Sequence, residues 1–146
     1  GIVRPPLIFA SAGVIGLGLG HVMDLNGLGS AVLRGCAVLV GLLGIILFYW
    51  AKTAFHHART PISGNKPVRA LIAQGPFRFS RNPIYVAFAL LYLAAALGFG
   101  SLAMIITLIP ALLVIDCIVI PREERYMIAR FGGVYTAYRA TVRRWI

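Results

Sequence analysis

The fold is set by residues 83–120, PIYVAFALLYLAAALGFGSLAMIITLIPALLVIDCIVI. This segment contains two apolar runs, Pro83–Phe99 and Ser101–Ile120, joined by an uncharged connection that includes Gly98 and Gly100. Such a connection is typical of a tight turn at a membrane interface. The first run is short for a bilayer core of about 30 Å, because about 17 residues at a rise of about 1.5 Å give about 26 Å. The segment therefore predicts a tight hairpin of two membrane-spanning helices.

The composition of the whole chain indicates a membrane protein. Its 146 residues are 60% hydrophobic and only 12% charged, with a mean hydropathy of +0.86, whereas a soluble domain carries about 25% charged residues. Two further apolar runs, Pro5–Met23 and Val32–Ala51, precede the hairpin, and each is long enough to cross a bilayer. We therefore predict an all-α integral membrane protein with about four transmembrane helices, the last two forming the hairpin.

The basic residues lie on one predicted side of the membrane. Those of the connection after the second span are Lys52, Arg59, Lys66, Arg69, Arg78 and Arg81, and those of the C-terminal tail are Arg122, Arg125, Arg130, Arg139, Arg143 and Arg144. The loop between the first two spans and the start of the second span hold only Asp24 and Arg34, and the hairpin turn holds no charge. Because cytoplasmic loops carry an excess of lysine and arginine, a multi-pass protein with both termini in the cytoplasm is predicted.

The length is that of one membrane domain. Within it we expect the first two spans in residues 1–51, a cytoplasmic connection in 52–83, the helical hairpin in 84–120 and a cytoplasmic tail with short helices in 121–146. Proline favours the first turn of a helix and glycine its end. Pro121 is therefore expected to begin a tail helix that ends at Gly132-Gly133.

The formal net charge of +10 does not indicate a nucleic-acid partner. The basic residues flank apolar spans, so orientation and contact with anionic headgroups of the lipid bilayer explain the excess. No metal site is predicted either. His56 and His57 diverge by about 100° on a helix, and Cys36 and Cys117 lie in apolar runs without the spacing of metal ligands.

Gly16 and Gly20 in the first apolar run have the GxxxG spacing that lets two membrane helices approach closely. The nearby Gly18 does not complete a nucleotide-binding GxGxxG pattern, and the run does not follow a strand. We interpret the two glycines as a helix contact. The contact could pack the first two spans together or join two protomers.

Polar segments flank the hairpin. GPFRFSRNPIY, residues 75–85, lies at its start, and PREER, residues 121–125, lies at its end. Polar groups at the edge of a membrane helix are costly unless they are paired, so their presence indicates a site. In a hairpin, Tyr85 comes close to Glu123 or Glu124, which predicts a pocket facing the cytoplasm. Because adjacent helical residues diverge by about 100°, we expect at most one of the two glutamates to face inward.

Asp116, near the end of the fourth span, has two interpretations. On an unbroken helix it lies on a face similar to that of Glu123 and Glu124, which would make it part of the site. Alternatively, it pairs with an arginine of the loops, which neutralises its charge. Pro121 lies between these acids and is a candidate break in the helix.

The polar segment 75–85, the hairpin and the tail EERYMIARFGGVYTAYRATVRRWI, residues 123–146, together resemble the isoprenylcysteine carboxyl methyltransferase family and related membrane phospholipid methyltransferases. The resemblance covers residues 71–146. It implies an enzyme that uses S-adenosylmethionine, without a Rossmann domain. It also implies a cofactor site that the last helices and the tail build, open to the cytosol.

The family pattern Arg-His-Pro-x-Tyr is matched here by Arg81-Asn82-Pro83-Ile84-Tyr85. Asparagine in place of histidine keeps a hydrogen-bond donor but cannot titrate, which favours a role in orienting the cofactor over a role as base. The cofactor-binding residues that the resemblance implies are Gln74, Gly75, Pro76, Phe77, Asn82, Tyr85, Glu123 and Glu124, with Gln74 to Phe77 at the adenosine end.

The resemblance implies in-line methyl transfer to a hydrophobic acceptor, either lipid-like or prenylated. A carboxylate acceptor, as in the prenylcysteine members, needs no base but needs an arginine to position the anion, and Arg81 and Arg125 are the catalytic candidates. An amine acceptor, as in the phospholipid members, must lose a proton, for which Asp116 or Glu123 is available.

Two functions of other classes have less support in the sequence. A four-span exporter would require an acid within its first span, and residues 5–23 contain none. A non-catalytic membrane scaffold that keeps the fold is favoured only by Asn82, which stands where the family has histidine.

Overall fold

The computed structural model describes residues 4–61 and 69–146, so the basic residue Lys66 of the connection lies outside the described part. The described elements are α1 (Pro5–Val22), α2 (Ala31–His57), a 3₁₀ turn (Gly75–Arg78), α3 (Pro83–Gly98), α4 (Leu102–Val114), a π-helical turn (Ile115–Val119), α5 (Ile120–Phe131) and α6 (Gly133–Thr141). Within these residues no β-strand forms, and one isolated β-bridge joins Ser80 and Arg143.

Three helical segments are long and apolar enough to cross a membrane: α1, α2 and the continuous helix Leu102–Phe131. The apolar α3 is shorter, as its sequence predicts. These helices confirm the prediction of an all-α membrane protein. The second helix differs from the prediction, because α2 continues beyond Ala51 to His57 and takes up the start of the predicted connection. Residues 52–57 include no proline or glycine that would end the helix.

The hairpin between α3 and α4 turns within residues 99–101, as predicted. Gly100 has a φ of +63°, a conformation that a side chain would strain. The Ser101 hydroxyl accepts a hydrogen bond from the Met104 N–H (3.3 Å) and so caps α4. The α1–α2 loop covers this turn, since the Leu28 N–H donates to the Gly100 carbonyl (3.0 Å).

The spans pack in two pairs, in which α2 lies along α3 and α1 lies along α4. Small residues permit both contacts. A Cβ added at Gly16 would lie 2.5 Å from Thr107 Oγ1 and 2.8 Å from Met104 Cα, and one added at Gly44 would lie 3.0 Å from Leu91 Cγ. The glycine face of α1 therefore contacts α4 within one protomer, which is neither of the two arrangements expected from the sequence.

Substitution of Gly16 tests this α1–α4 contact. We expect Gly16→Ala to lower the free energy of unfolding by about 1–3 kcal/mol, because the added methyl would overlap the backbone of α4. The matched control is Gly18→Ala in the same helix, where a Cβ meets nothing within 4 Å. Unfolding by SDS in mixed micelles measures the free energy of unfolding of both variants. Equal stability of the two variants would contradict the close α1–α4 packing.

Pro121 does not break the helix, contrary to the expectation that it begins a separate tail helix. The chain continues from α4 through the π-helical turn into α5, and the Ile120 N–H donates to the carbonyl of Ile115, five residues earlier. A proline in a helix lacks one N–H and crowds the carbonyl four residues before it. That carbonyl belongs to Cys117, which lies within the wider π-helical turn, so the turn accommodates Pro121 without a break. Gly132, with a φ of +55°, ends α5 as predicted.

Candidate functional site

A cavity of about 260 Å³ lies at one end of the bundle, where α1 begins, α2 ends, α3 begins and α5 and α6 cross. Its apolar and aromatic lining consists of Pro5, Pro6, Phe48, Phe55, Ala70, Leu71, Ile72, Phe77, Pro83, Ile84, Phe88 and Met127. Its polar lining consists of Arg81, Asn82, Tyr85, Glu123, Glu124, Tyr135 and Tyr138. A mostly apolar cavity with a few convergent polar groups is typical of a small-molecule site.

The Glu124 carboxylate is the most heavily paired charge of the site. It is 6% exposed and lies 2.6 Å from Arg81 Nη1. Its other oxygen lies 3.3 Å from Arg144 Nη2 and 3.7 Å from Arg139 Nη2. Helix α5, the segment before α3, α6 and the tail thus converge on one buried acid. A buried charge is tolerated when it is paired in this way.

Glu123 has a different environment from its neighbour. Its carboxylate accepts a hydrogen bond from the Tyr85 hydroxyl (2.7 Å), and no ion pair involves it in the described part of the chain. Both glutamates line the cavity, so the expectation that only one faces inward was wrong. Two adjacent residues can both be covered here because α6 and the tail enclose α5 from a second side.

The C-terminal tail is bound to the segment before α3. The Arg81 N–H donates to the Arg143 carbonyl (2.9 Å), and Asn82 Nδ2 donates to the Arg144 carbonyl (2.9 Å). The Tyr138 hydroxyl donates to the Phe77 carbonyl (2.7 Å). Asn82 thus lines the cavity and also anchors the backbone of the tail.

Two tyrosines of α6 complete the cavity and were not predicted. Burial raises the pKa of Tyr135, with a further rise from Glu124. Burial also raises the pKa of Tyr138, so both phenols are protonated at neutral pH and can donate hydrogen bonds. The sequence signal was the i, i+3 spacing of Tyr135 and Tyr138, which puts both on one helical face.

Asp116 pairs with the tail, as the second of its two interpretations predicts. Its Oδ1 accepts from Arg144 Nη1 (3.2 Å) and from the indole Nε1 of Trp145 (2.9 Å). It does not line the cavity. Burial by itself would lower the pKa of Arg144, but the bond to Asp116 and the charge of Glu124 outweigh it and raise the pKa above the ordinary value. Arg144 therefore remains charged between the two acids.

The predicted site residues separate into two groups. Those that line the cavity are Phe77, Arg81, Asn82, Tyr85, Glu123 and Glu124. Gln74 and Arg125 are exposed, and neither they nor Gly75 and Pro76 belong to the lining. Gly75 instead faces Trp50, because a Cβ there would lie 3.2 Å from the indole nitrogen.

One buried donor of the site has no partner in the part of the chain that the structure describes. The Nε of Arg81 is buried and makes no hydrogen bond there, although Nη1 of the same guanidinium pairs with Glu124. An unpaired buried donor costs about 1–3 kcal/mol. Because Arg81 lines the cavity, an acceptor on a bound molecule would remove this cost. In residues 4–61 and 69–146, no three His, Cys, Asp or Glu side chains are grouped so that they could hold a metal ion.

Comparisons with known proteins agree with the membrane fold. A family model described as phospholipid methyltransferase matches residues 31–133. The chain is also 36% identical over 63 residues to an uncharacterized protein of Haemophilus influenzae, a stretch that covers 43% of this chain and 100% of that protein. No solved structure matches the chain significantly.

Proposed function

The chain belongs to the phospholipid methyltransferase family of membrane methyltransferases, and from this premise we propose that it uses S-adenosylmethionine to methylate a lipid-like or prenylated acceptor. One observation carries the proposal. Among the described residues, the cavity holds an acid without a cationic partner, Glu123, and a guanidinium with an unpaired buried donor, Arg81. These are the complements of an amino group and a carboxylate on one small molecule.

The charges of the cavity support S-adenosylmethionine as the cofactor. Two carboxylates and one guanidinium line it, and Glu124 already pairs with Arg81. The acid left over is Glu123. S-Adenosylmethionine carries an ammonium, a sulfonium and a carboxylate, with a net positive charge that this acid balances. Tyr85, Tyr135 and Tyr138 add aromatic rings, which attract cations such as a sulfonium.

The residues of the cavity have distinct roles in this proposal. Glu123 binds the amino group, and Arg81 Nε donates to the carboxylate, which fixes the amino-acid end of the cofactor. Phe77 contacts the adenosine end. When bound, S-adenosylmethionine would supply an activated methyl group on its sulfonium, with a neutral thioether as the leaving group. The chain contributes orientation and an environment in which water is disfavoured, since the lining of the cavity is mostly apolar.

We propose a carboxylate acceptor of the prenylcysteine type, positioned by the part of the Arg81 guanidinium that pairs with neither the cofactor, which Nε binds, nor Glu124, which Nη1 binds. An amine acceptor of the phospholipid type is the second candidate, because Glu123 lies in the cavity beside Tyr85 and could take a proton. Arg125, the other arginine candidate, is exposed outside the cavity and has no role in this proposal. The apolar lining contributed by Phe48, Phe55 and Phe88 suits a hydrophobic chain on either acceptor.

The orientation of the protein is also part of the proposal. The described basic residues Arg78, Arg81 and Arg139 lie at the end of the bundle that holds the cavity, together with the start of α1 and the tail. By the positive-inside rule this end faces the cytoplasm, where S-adenosylmethionine is available.

Calorimetric titration of S-adenosylmethionine into the detergent-purified protein tests the proposal. We expect saturable binding to the wild type. Transfer of a radiolabelled methyl group is then measured with a prenylcysteine analogue and, separately, with phosphatidylethanolamine, and the acceptor that becomes labelled decides between O- and N-methylation. Absence of saturable binding to well-folded protein would contradict the proposal and favour the non-catalytic scaffold.

A further inference from the structure

We propose that Asp116 is a positioning residue for the cavity, although it lies outside the lining and in an apolar helix. It acts through Arg144, which holds Glu124. This inference rests on the proposed function, because its measured effect is on the binding of S-adenosylmethionine.

A continuous series of contacts joins Asp116 to the cavity. Asp116 Oδ1 accepts from Arg144 Nη1 (3.2 Å), and Arg144 Nη2 donates to Glu124 Oε2 (3.3 Å). The other oxygen of Glu124 accepts from Arg81 Nη1 (2.6 Å). One guanidinium thus bridges the two acids, and the acid inside the cavity is held from opposite sides by Arg81 and Arg144.

The π-helical turn makes this bridge possible. In a regular α-helix, eight residues from Asp116 to Glu124 correspond to a rotation about 80° beyond two full turns. A π-helical turn accommodates about one extra residue, which rotates the following helix back by about 100°. The turn spans Ile115–Val119, so the directions of Asp116 and Glu124 around the helix axis differ by only about 20°. They lie on one face of the helix, where a single arginine can reach both.

Arg144 needs Asp116 to remain in this position. Its side chain is 31% exposed, so without a second partner it can rotate into solvent. Asp116 removes this freedom and also accepts from Trp145, the next residue of the tail. The backbone of Arg144 in turn accepts from Asn82 in the cavity. Loss of Asp116 would therefore loosen the contacts of the tail with Glu124 and Asn82 together.

The test measures the Kd for S-adenosylmethionine in Asp116→Ala, Arg144→Gln and the double variant. We expect Asp116→Ala to raise the Kd about tenfold, the effect of losing one charge-assisted hydrogen bond. Asp116→Asn keeps an acceptor and should recover part of the affinity. Because Asp116 acts through Arg144, the double variant should bind no more weakly than Arg144→Gln alone. A residue that only stabilised the fold would change the free energy of unfolding and leave the Kd of folded protein unaltered.

Arg143→Gln is the matched control. Like Arg144→Gln, it removes one positive charge from the tail. The Arg143 side chain is exposed, however, and its contact with Arg81 uses the backbone carbonyl. We expect its Kd to equal that of the wild type. Wild-type affinity in Asp116→Ala, or additive effects in the double variant, would overturn the positioning role and leave the proposed function intact. Absence of binding to the wild type would overturn the proposed function and this inference with it.

Discussion

Replacement of Glu124 by alanine is expected to lower the free energy of unfolding by about 3–5 kcal/mol, the cost of removing one partner of a buried ion pair. Arg81, whose side chain is only 10% exposed, would be left as a buried charge without its carboxylate. The loss of the carboxylate costs less at Arg144 and Arg139, since their side chains are 31% and 44% exposed and can reach solvent.

Unfolding by SDS in mixed micelles measures this loss, and two further variants identify its cause. Glu123→Ala removes the adjacent carboxylate, whose only partner among the described residues is the Tyr85 phenol, so we expect a loss of about 1 kcal/mol. The double variant Arg81→Met/Glu124→Leu replaces the buried pair with apolar side chains and should recover much of the stability. Equal losses in Glu124→Ala and Glu123→Ala would contradict the structural role of the ion pair.

Replacement of Glu123 by glutamine is expected to have the opposite pattern, with weak binding of S-adenosylmethionine in a protein of nearly wild-type stability. Glu123 forms no ion pair with another described residue, so the fold does not depend on its charge. In the proposed site its carboxylate binds the amino group of the cofactor. A hydrogen bond to a charged group contributes about 1.5–3 kcal/mol, so we expect the Kd to rise about 10- to 100-fold.

Titration calorimetry measures this Kd, with Arg122→Gln as the control. Arg122 precedes Glu123 on the same helix, but it is exposed and does not line the cavity. Its substitution changes the charge by one unit of the opposite sign at a neighbouring position. A general electrostatic effect would therefore shift the two Kd values in opposite directions, whereas loss of a direct contact would change the Kd only in Glu123→Gln. Unchanged affinity in Glu123→Gln would mean that another group binds the amino end, and the assignment of Glu123 would be wrong.

The different environments of Glu123 and Glu124 could not be predicted from the sequence. Adjacent positions on a helix predict only that the side chains diverge, and the partners come from remote segments. Arg81 is 43 residues from Glu124, and Tyr85 is 38 residues from Glu123. Gln74 and Arg125 were predicted for the site because they lie close in sequence to site residues, but both are exposed. Closeness in sequence does not determine which way a side chain faces.

The sequence by itself determined the membrane helices, the tight turn between α3 and α4 and the end of α5 at Gly132. These features follow from local properties, namely apolar runs of sufficient length and glycines with positive φ. It also indicated that polar groups at the ends of the hairpin meet, since a hairpin brings its ends together.

Only the tertiary structure decided that α1 packs on α4, that a π-helical turn carries the helix past Pro121, and that the tail crosses the segment before α3. The α1–α4 packing and the crossing of the tail depend on contacts between residues far apart in the chain. The π-helical turn depends on the hydrogen bond between Ile120 and Ile115, which the presence of Pro121 does not by itself predict. The tail illustrates the difference. Its basic residues predicted a position at the membrane surface, but Arg144 pairs with the buried Glu124 and the partly exposed Asp116 beside the cavity. It does so because a carboxylate removed from water, such as that of Glu124, needs a cationic partner.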